Sequence, residues 1–67
     1  MEIVLYHQDG CPQCKMLKML LDRKSIVYSS IKDIDLMLSL GITHTPTLSV
    51  DGKLLSTKEA LKWVQEQ

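Results

Sequence analysis

Residues 3–14, IVLYHQDGCPQC, decide the fold of this chain. They open with an unbroken apolar run, Ile3 to Tyr6, which is typical of a strand buried on both faces. A polar loop follows, and the segment from Cys11 to Cys14 (CPQC) then holds the only two cysteines. Pro12 suits the first turn of a helix, where its missing N–H is not needed. The stretch therefore predicts a strand, a loop and a helix that begins at the cysteine pair.

The helix is expected to run from Pro12 to about Lys24. Leu17, Leu20 and Leu21 share one of its faces and should point into the core. We expect the methionines to fill gaps in that core, because their side chains adapt to irregular spaces. These methionines are Met16, Met19 and Met37.

Signals for five further elements follow the first helix. We expect a second strand at residues 26–28, a short helix capped by Asp33 and ending before Gly41, and strands at residues 47–50 and 53–55. Asp51-Gly52 predicts a tight hairpin turn between the last two strands. Ser56 and Glu59 have the spacing of a capping box at the start of a final helix. The predicted fold is α/β, with the order βαβαββα and a four-stranded mixed sheet, strand order 2-1-3-4, between helices.

Size and composition limit the possible functions. The 67 residues suit one domain, spanning 1–67, and 45% of them are hydrophobic. Eight basic and eight acidic residues cancel, which argues against a nucleic-acid partner. No apolar run is long enough for a membrane span, and the first residues lack the features of a signal peptide. We therefore expect a cytoplasmic monomer, in which a C-x-x-C pair is more often catalytic or metal-binding than structural.

The position of the cysteines at a helix start predicts different roles for them. Cys11 would be the N-cap residue, where N–H groups of the first turn and the helix dipole stabilise a thiolate. Cys14 lies one turn further and should be more buried, so that it attacks second and resolves a mixed disulfide. We expect the neighbouring polar residues to be ordinary loop residues: His7 and His44 exposed, and Asp9 hydrogen-bonded within its own loop. The alternative is that a histidine lies near the thiols and tunes a pKa or accepts a proton, or that Asp9 approaches Cys11 and raises the pKa of its thiol.

Thr45-Pro46, just before the third strand, is the second signal for function. With the CPQC segment, the Asp51-Gly52 turn and the final helix, it makes the whole chain resemble the thioredoxin superfamily. Within it, the chain resembles the glutaredoxins and the glutaredoxin-like hydrogen donors of ribonucleotide reductase. The resemblance implies a minimal thioredoxin fold with a cis peptide before Pro46, packed against the cysteines. It also implies that a substrate contacts Pro12, Gln13 and Pro46 and pairs with the Thr45 backbone like an added strand.

The resemblance further implies a thiol–disulfide oxidoreductase that reduces protein disulfides, such as those of ribonucleotide reductase, without a bound cofactor. Its electrons would come from thioredoxin reductase or from glutathione as a co-substrate. Glutathione-using relatives usually carry Lys or Arg where this chain has Gln8, and a Gly-Gly pair where it has Leu55-Ser56-Thr57. These differences favour thioredoxin reductase.

A metal-binding chaperone for Cu(I) or Zn is the alternative, since such proteins also place C-x-x-C between a first strand and a first helix. They usually have Met where Asp9 stands, and their βαββαβ fold ends in a strand. An iron–sulfur cluster would need two ligands besides Cys11 and Cys14, from a second chain or from glutathione.

Overall fold

The order of elements in the computed structural model, which describes residues 1–67, is βαβαββα, as predicted. Pro12 opens the first helix, and the Asp51-Gly52 turn joins the last two strands. Both residues of that turn have positive φ, 50° and 87°, as the two-residue hairpin requires. The elements are β1 (Ile3–Tyr6), α1 (Pro12–Arg23), β2 (Ser29–Ile31), α2 (Ile34–Ser39), β3 (Thr47–Val50), β4 (Lys53–Leu55) and α3 (Thr57–Gln65).

Strand β1 lies inside the sheet, whose order is β2-β1-β3-β4. It pairs in parallel with β2, Leu5 opposite Ser30, and antiparallel with β3, Leu5 opposite Leu48. Strands β3 and β4 are antiparallel, with Leu48 opposite Leu55. The predicted strand order and the minimal thioredoxin fold are thus confirmed.

The side chains of β1 alternate between two cores. Ile3 and Leu5 belong to the larger core, which α1 and α3 cover, whereas Tyr6 belongs to a smaller one on the face of α2. Burial on both sides explains why this strand is apolar throughout. The larger core also contains Leu17, Leu21, Leu48, Leu55, Ala60 and Val64, and the smaller one Met37 and Ile42.

The second strand was predicted at residues 26–28, and this was wrong: pairing begins only at Ser29. The end of α1 explains the delay. Ser25 has φ 56°, its N–H donates to the Asp22 carbonyl, and the N–H of Ile26 donates to the Leu21 carbonyl, both at 3.0 Å. This motif holds Ile26 against the core beneath the helix end, so the chain needs further residues to reach the sheet.

Two of the three methionines predicted in the core lie outside it. Met16 is 43% exposed and Met19 57% exposed, whereas Met37 is buried as predicted. The buried stripe of α1 is narrow, because its fully inward positions are Cys14, Leu17 and Leu21. Met16 and Met19 fall on the opposite, outward face of the helix.

All three helices begin at the same edge of the sheet. Strands β1, β2 and β4 run in one direction, and each is followed by a helix. Each N-cap side chain accepts a backbone hydrogen bond: Cys11 Sγ at 3.1 Å, Asp33 Oδ1 at 3.2 Å and Ser56 Oγ at 3.3 Å. The cysteine pair therefore lies on the edge to which three helix dipoles bring their positive ends.

The capping box of α3 provides a test of this architecture. Ser56 Oγ accepts from the Glu59 N–H, and Glu59 Oε1 accepts from the Ser56 N–H at 3.1 Å. Ser56→Ala should lower the free energy of unfolding by about 1 kcal/mol in urea titrations, since it removes one of these bonds. Ser56→Asp keeps an N-cap acceptor and should stay within about 0.5 kcal/mol of the wild type. Equal losses in the two variants would contradict the capping role.

Candidate active site

Cys11 and Cys14 lie at the junction between β1 and α1, joined as a disulfide with their Cα atoms 5.2 Å apart. Gly10, with φ 72°, turns the chain into the helix in a conformation that suits glycine. Cys11 is the N-cap residue, and its Sγ accepts a hydrogen bond from the Cys14 N–H at 3.1 Å. The predicted placement of the first sulfur against the first turn is thereby confirmed.

The two sulfurs differ in exposure. Cys11 is partly exposed and is followed by the exposed residues Pro12 and Gln13, whereas Cys14 is only 2% exposed. An incoming group therefore meets Cys11 first, and Cys14 is reached only from within the protein.

The helix that carries the cysteines is also distinguished by charge. The first turn of α1 contains no acidic residue, whereas the first turns of α2 and α3 contain Asp35 and Glu59. Carboxylates at those two helix starts partly neutralise the positive ends of their dipoles. At α1 no carboxylate of the first turn neutralises the dipole, so its positive end can stabilise negative charge on the sulfur of Cys11.

Thr45-Pro46 lies at the same edge as the cysteines, because Thr47, the first residue of β3, pairs with Tyr6, the last residue of β1. The peptide bond before Pro46 is cis, as the resemblance implied. Two hydroxyls hold the segment in place: Thr57 Oγ1 donates to the Pro46 carbonyl at 3.0 Å, and Thr47 Oγ1 to the His44 carbonyl at 2.7 Å.

The backbone of Thr45 has no hydrogen-bond partner within the chain, at either its N–H or its carbonyl. The residue is only partly exposed and lies beside the anchored Pro46. Backbone groups that are unpaired and held in place are suited to pairing with an extended peptide.

His7 was predicted to be an exposed loop residue, and this was wrong: it is only 9% exposed. Its N–H donates to the Ile31 carbonyl at 2.9 Å, which continues the β1–β2 pairing beyond the strand. Burial and the positive charges of Lys18 and Lys32 lower the pKa of His7, and only Asp9 opposes them. His44 is exposed, as predicted.

Asp9 also differs from the expectation that it would bond within its own loop. Both of its carboxylate oxygens lie 3.2 Å from Lys32 Nζ, so it links the loop before Cys11 to the residue after β2. The two side chains are 85% and 59% exposed, and such a surface pair contributes about 0–1 kcal/mol to stability.

Residues 3–55 match the family model named Glutaredoxin. The chain belongs to the glutaredoxin family. The matched region of this glutaredoxin-family protein contains the cysteine pair, Thr45-Pro46 and the four strands. In a comparison with curated protein sequences, no relative was found.

Among solved structures, the glutaredoxin-family chain is similar to a crystal structure of a mutant of the thioredoxin-like protein BC3987. The two share 25% sequence identity, with a TM-score of 0.78, and the match covers 97% of this chain and 96% of the other. The likeness extends to the final helix, which lies beyond the residues that the family model matches.

No group of three or more His, Cys, Asp or Glu side chains is arranged to hold a metal ion. None of the helices has the length and apolar character that crossing a membrane would require.

The hydrogen bond from the Thr57 hydroxyl to the Pro46 carbonyl could not be predicted from the sequence. The capping-box spacing pointed to the start of α3, but no local pattern indicates a hydrogen bond to a carbonyl eleven positions earlier.

His7 provides a test of the electrostatics around the site. Because its pKa is lowered in the folded protein, the unfolded chain binds the proton more readily as pH falls below the ordinary value of 6.5. The free energy of unfolding should therefore decrease with decreasing pH in this range. His7→Asn cannot be protonated and should show a smaller slope in urea titrations of the oxidised protein between about pH 7 and 5. The exposed His44→Asn is the control and should keep the wild-type slope. An unchanged slope in His7→Asn would contradict this explanation.

Proposed function

We propose that this protein is a thiol–disulfide oxidoreductase that reduces protein disulfides with Cys11 and Cys14. The observation that carries the proposal is the contrast between the sulfurs: Cys11 is accessible and bonded to a helix N–H, whereas Cys14 is buried one turn later. A nucleophilic thiolate needs access and stabilisation of its charge, and a resolving thiol needs only proximity to the first sulfur.

The reaction follows from this arrangement in two steps. In the reduced protein, the Cys11 thiolate attacks one sulfur of a substrate disulfide, forming a mixed disulfide and releasing the other substrate sulfur as a thiolate. Cys14 then loses its proton and attacks the sulfur of Cys11. The mixed disulfide breaks, the second substrate thiolate leaves, and the Cys11–Cys14 disulfide remains. Two electrons have passed to the substrate, and the product corresponds to the disulfide state of this structure.

The substrate would lie in a groove between the two loops at this edge. Pro12 and Gln13 are exposed beside Cys11 and would contact it on one side. Pro46 was predicted to contact the substrate, but its side chain is fully buried, so it would shape the other side from beneath the partly exposed Thr45. The unpaired N–H and carbonyl of Thr45 would hydrogen-bond an extended segment of the substrate. Such pairing holds a peptide by its backbone and tolerates many sequences, which suits a general reductant of protein disulfides.

The reductant we propose is thioredoxin reductase rather than glutathione. Glutathione carries two carboxylates, and the start of α3 is where the family receives one of them. Here Glu59 already brings a carboxylate to the Ser56 N–H, and the Thr57 hydroxyl is bonded to the Pro46 carbonyl. Gln8 adds no positive charge on the other side of the site. A further negative charge would therefore be repelled at α3, and Gln8 itself offers no cation to pair with it.

In the cell, we propose a cytoplasmic monomer that passes electrons to protein disulfides, including those of ribonucleotide reductase, and contributes to redox homeostasis. Cu(I) or Zn transport is less well supported, because the element order βαβαββα differs from the βαββαβ order of those chaperones.

Single cysteine variants test the order of attack. Cys11→Ser should abolish reduction of insulin disulfides, since Cys14 is too buried to attack a protein. Cys14→Ser should instead accumulate a mixed disulfide on Cys11, visible by mass spectrometry and reversed by dithiothreitol. Full turnover by Cys14→Ser would refute the dithiol mechanism. Tight stoichiometric Cu(I) or Zn binding by a reduced wild type without reductase activity would support the metal alternative.

The choice of reductant is tested by two coupled assays, one with NADPH and thioredoxin reductase and one with glutathione and glutathione reductase. The thioredoxin reductase assay should be faster by about tenfold or more, a difference of about 1.4 kcal/mol.

Glu59→Gln keeps the capping geometry but removes the charge at the start of α3. It should raise the glutathione rate by about two- to fivefold, in line with a helix-dipole effect of about 0.3–1 kcal/mol. Lys58→Gln, an exposed neighbour that is not part of the capping box, is the control and should not raise it. A faster glutathione assay in the wild type would overturn the proposed reductant while leaving the dithiol chemistry intact.

A further inference from the structure

A small cavity of about 120 Å³ adjoins the proposed groove on the side of α2. Met37 and Ile42, both nearly buried, line its inner part, and Ile34 and Leu38 line it while remaining 54% and 62% exposed. Neither cysteine lines it. The cavity borders the site through Thr45, the residue with the unpaired backbone, and through Gln8 in the loop that leads to Cys11.

The lining is half apolar and almost without charge: Ile34, Met37, Leu38 and Ile42 form its apolar side, and four polar residues complete it. It includes no Asp, Glu, Lys or Arg, and His44 is its one titratable residue. A cavity of about 150 Å³ lined by apolar side chains is large enough to bind benzene, so this one has room for a single side chain. A carboxylate placed here would find no Lys or Arg among the lining residues to pair with it.

The position relative to Thr45 indicates what would enter. An extended peptide that pairs with the Thr45 backbone must pass beside the cavity, and its side chains point alternately to opposite sides. Backbone pairing with pockets for alternate side chains is how added strands combine affinity with specificity. The same chain would bring its cysteine towards the accessible sulfur of Cys11.

We propose that this cavity is a specificity subsite that receives an apolar side chain of the protein substrate, close in sequence to its reactive cysteine. The inference rests on the proposed function and specifies its substrate class: disulfides flanked by Leu, Ile, Val, Met or Phe on an extended or locally unfolded segment. Glutathione, which has a carboxylate at each end and no apolar side chain, would not use the subsite.

The chain provides a matched pair of variants for the test. Leu38 and Leu36 belong to the same helix and are both exposed, but only Leu38 lines the cavity. Since both positions are at the surface, replacing either with Asp should leave the fold intact, which circular dichroism and thermal unfolding would check.

The probes are short peptides whose single cysteine is linked to thionitrobenzoate, so that attack by Cys11 on the peptide sulfur releases the coloured thiolate. The residues two positions before and after the cysteine are Leu, Ala or Asp in separate peptides. The reduced wild type, mixed with each peptide for a single turnover, should show a second-order rate constant about tenfold higher for the best Leu peptide than for its Ala counterpart, as burial of an apolar side chain would give. Leu38→Asp should lose this preference, and Leu36→Asp should keep it. Leu38→Lys should instead favour the Asp peptide.

Each other outcome has a defined meaning. Turnover without a Leu preference, or equal effects of Leu38→Asp and Leu36→Asp, would overturn the subsite and leave the proposed function standing. A wild type that reacts with glutathione disulfide faster than with every peptide would also overturn it. Dimerisation that Leu38→Asp abolishes would assign this face to a second copy of the chain. A wild type that attacks no disulfide would overturn the proposed function, and the subsite with it.

Discussion

The burial of β1 on both faces is the constraint on which the rest of this structure depends. Ile3 and Leu5 need the cover of α1 and α3, and Tyr6 needs the cover of α2 and the residues after it. A strand buried in this way must lie inside the sheet and be flanked by β2 and β3. Because β1, β2 and β4 share one direction, the helices that cover the sheet all begin at one edge. The burial of β1 therefore determines that the cysteine site lies at this edge of the sheet.

At that edge the three helix starts are not equivalent. Acidic residues occupy the first turns of α2 and α3, and a sulfur takes the place of a side-chain oxygen at the N-cap of α1. The arrangement concentrates the stabilisation of negative charge on Cys11. The same helix turn that exposes Cys11 buries Cys14 against the sheet. One element thus supplies both the electrostatic and the steric difference between the sulfurs that a two-step exchange requires.

The surroundings of Thr45 also differ between the side of α3 and the side of α2. On the α3 side, Glu59 already accepts from the Ser56 N–H, and the Thr57 hydroxyl already donates to the Pro46 carbonyl. Few free hydrogen-bond donors therefore remain there for an incoming carboxylate. On the α2 side, Leu38 and Ile34 keep apolar surface exposed beside a backbone with unpaired groups. Neighbouring exposed apolar side chains can mark a site of interaction with a partner. These two features are the basis on which we propose a polypeptide with apolar residues, rather than a small charged tripeptide, as the partner.

The sequence by itself determined those features that depend on neighbouring residues: the cap at Cys11, the helix stop at Gly41, the Asp51-Gly52 turn, the capping box and the order of elements. It also indicated that the cysteine pair and Pro46 belong to the functional site, since a C-x-x-C pair at a helix start and a proline just before a strand are uncommon. Only the tertiary structure decided the start of β2, the burial of His7, the exposure of Met16 and Met19, the Thr57 contact with Pro46 and the cavity beside Thr45. Caps and turns follow from local backbone geometry, which a short segment specifies. The other features depend on which distant element packs against a residue, and that is settled only when sheet and helices assemble around β1.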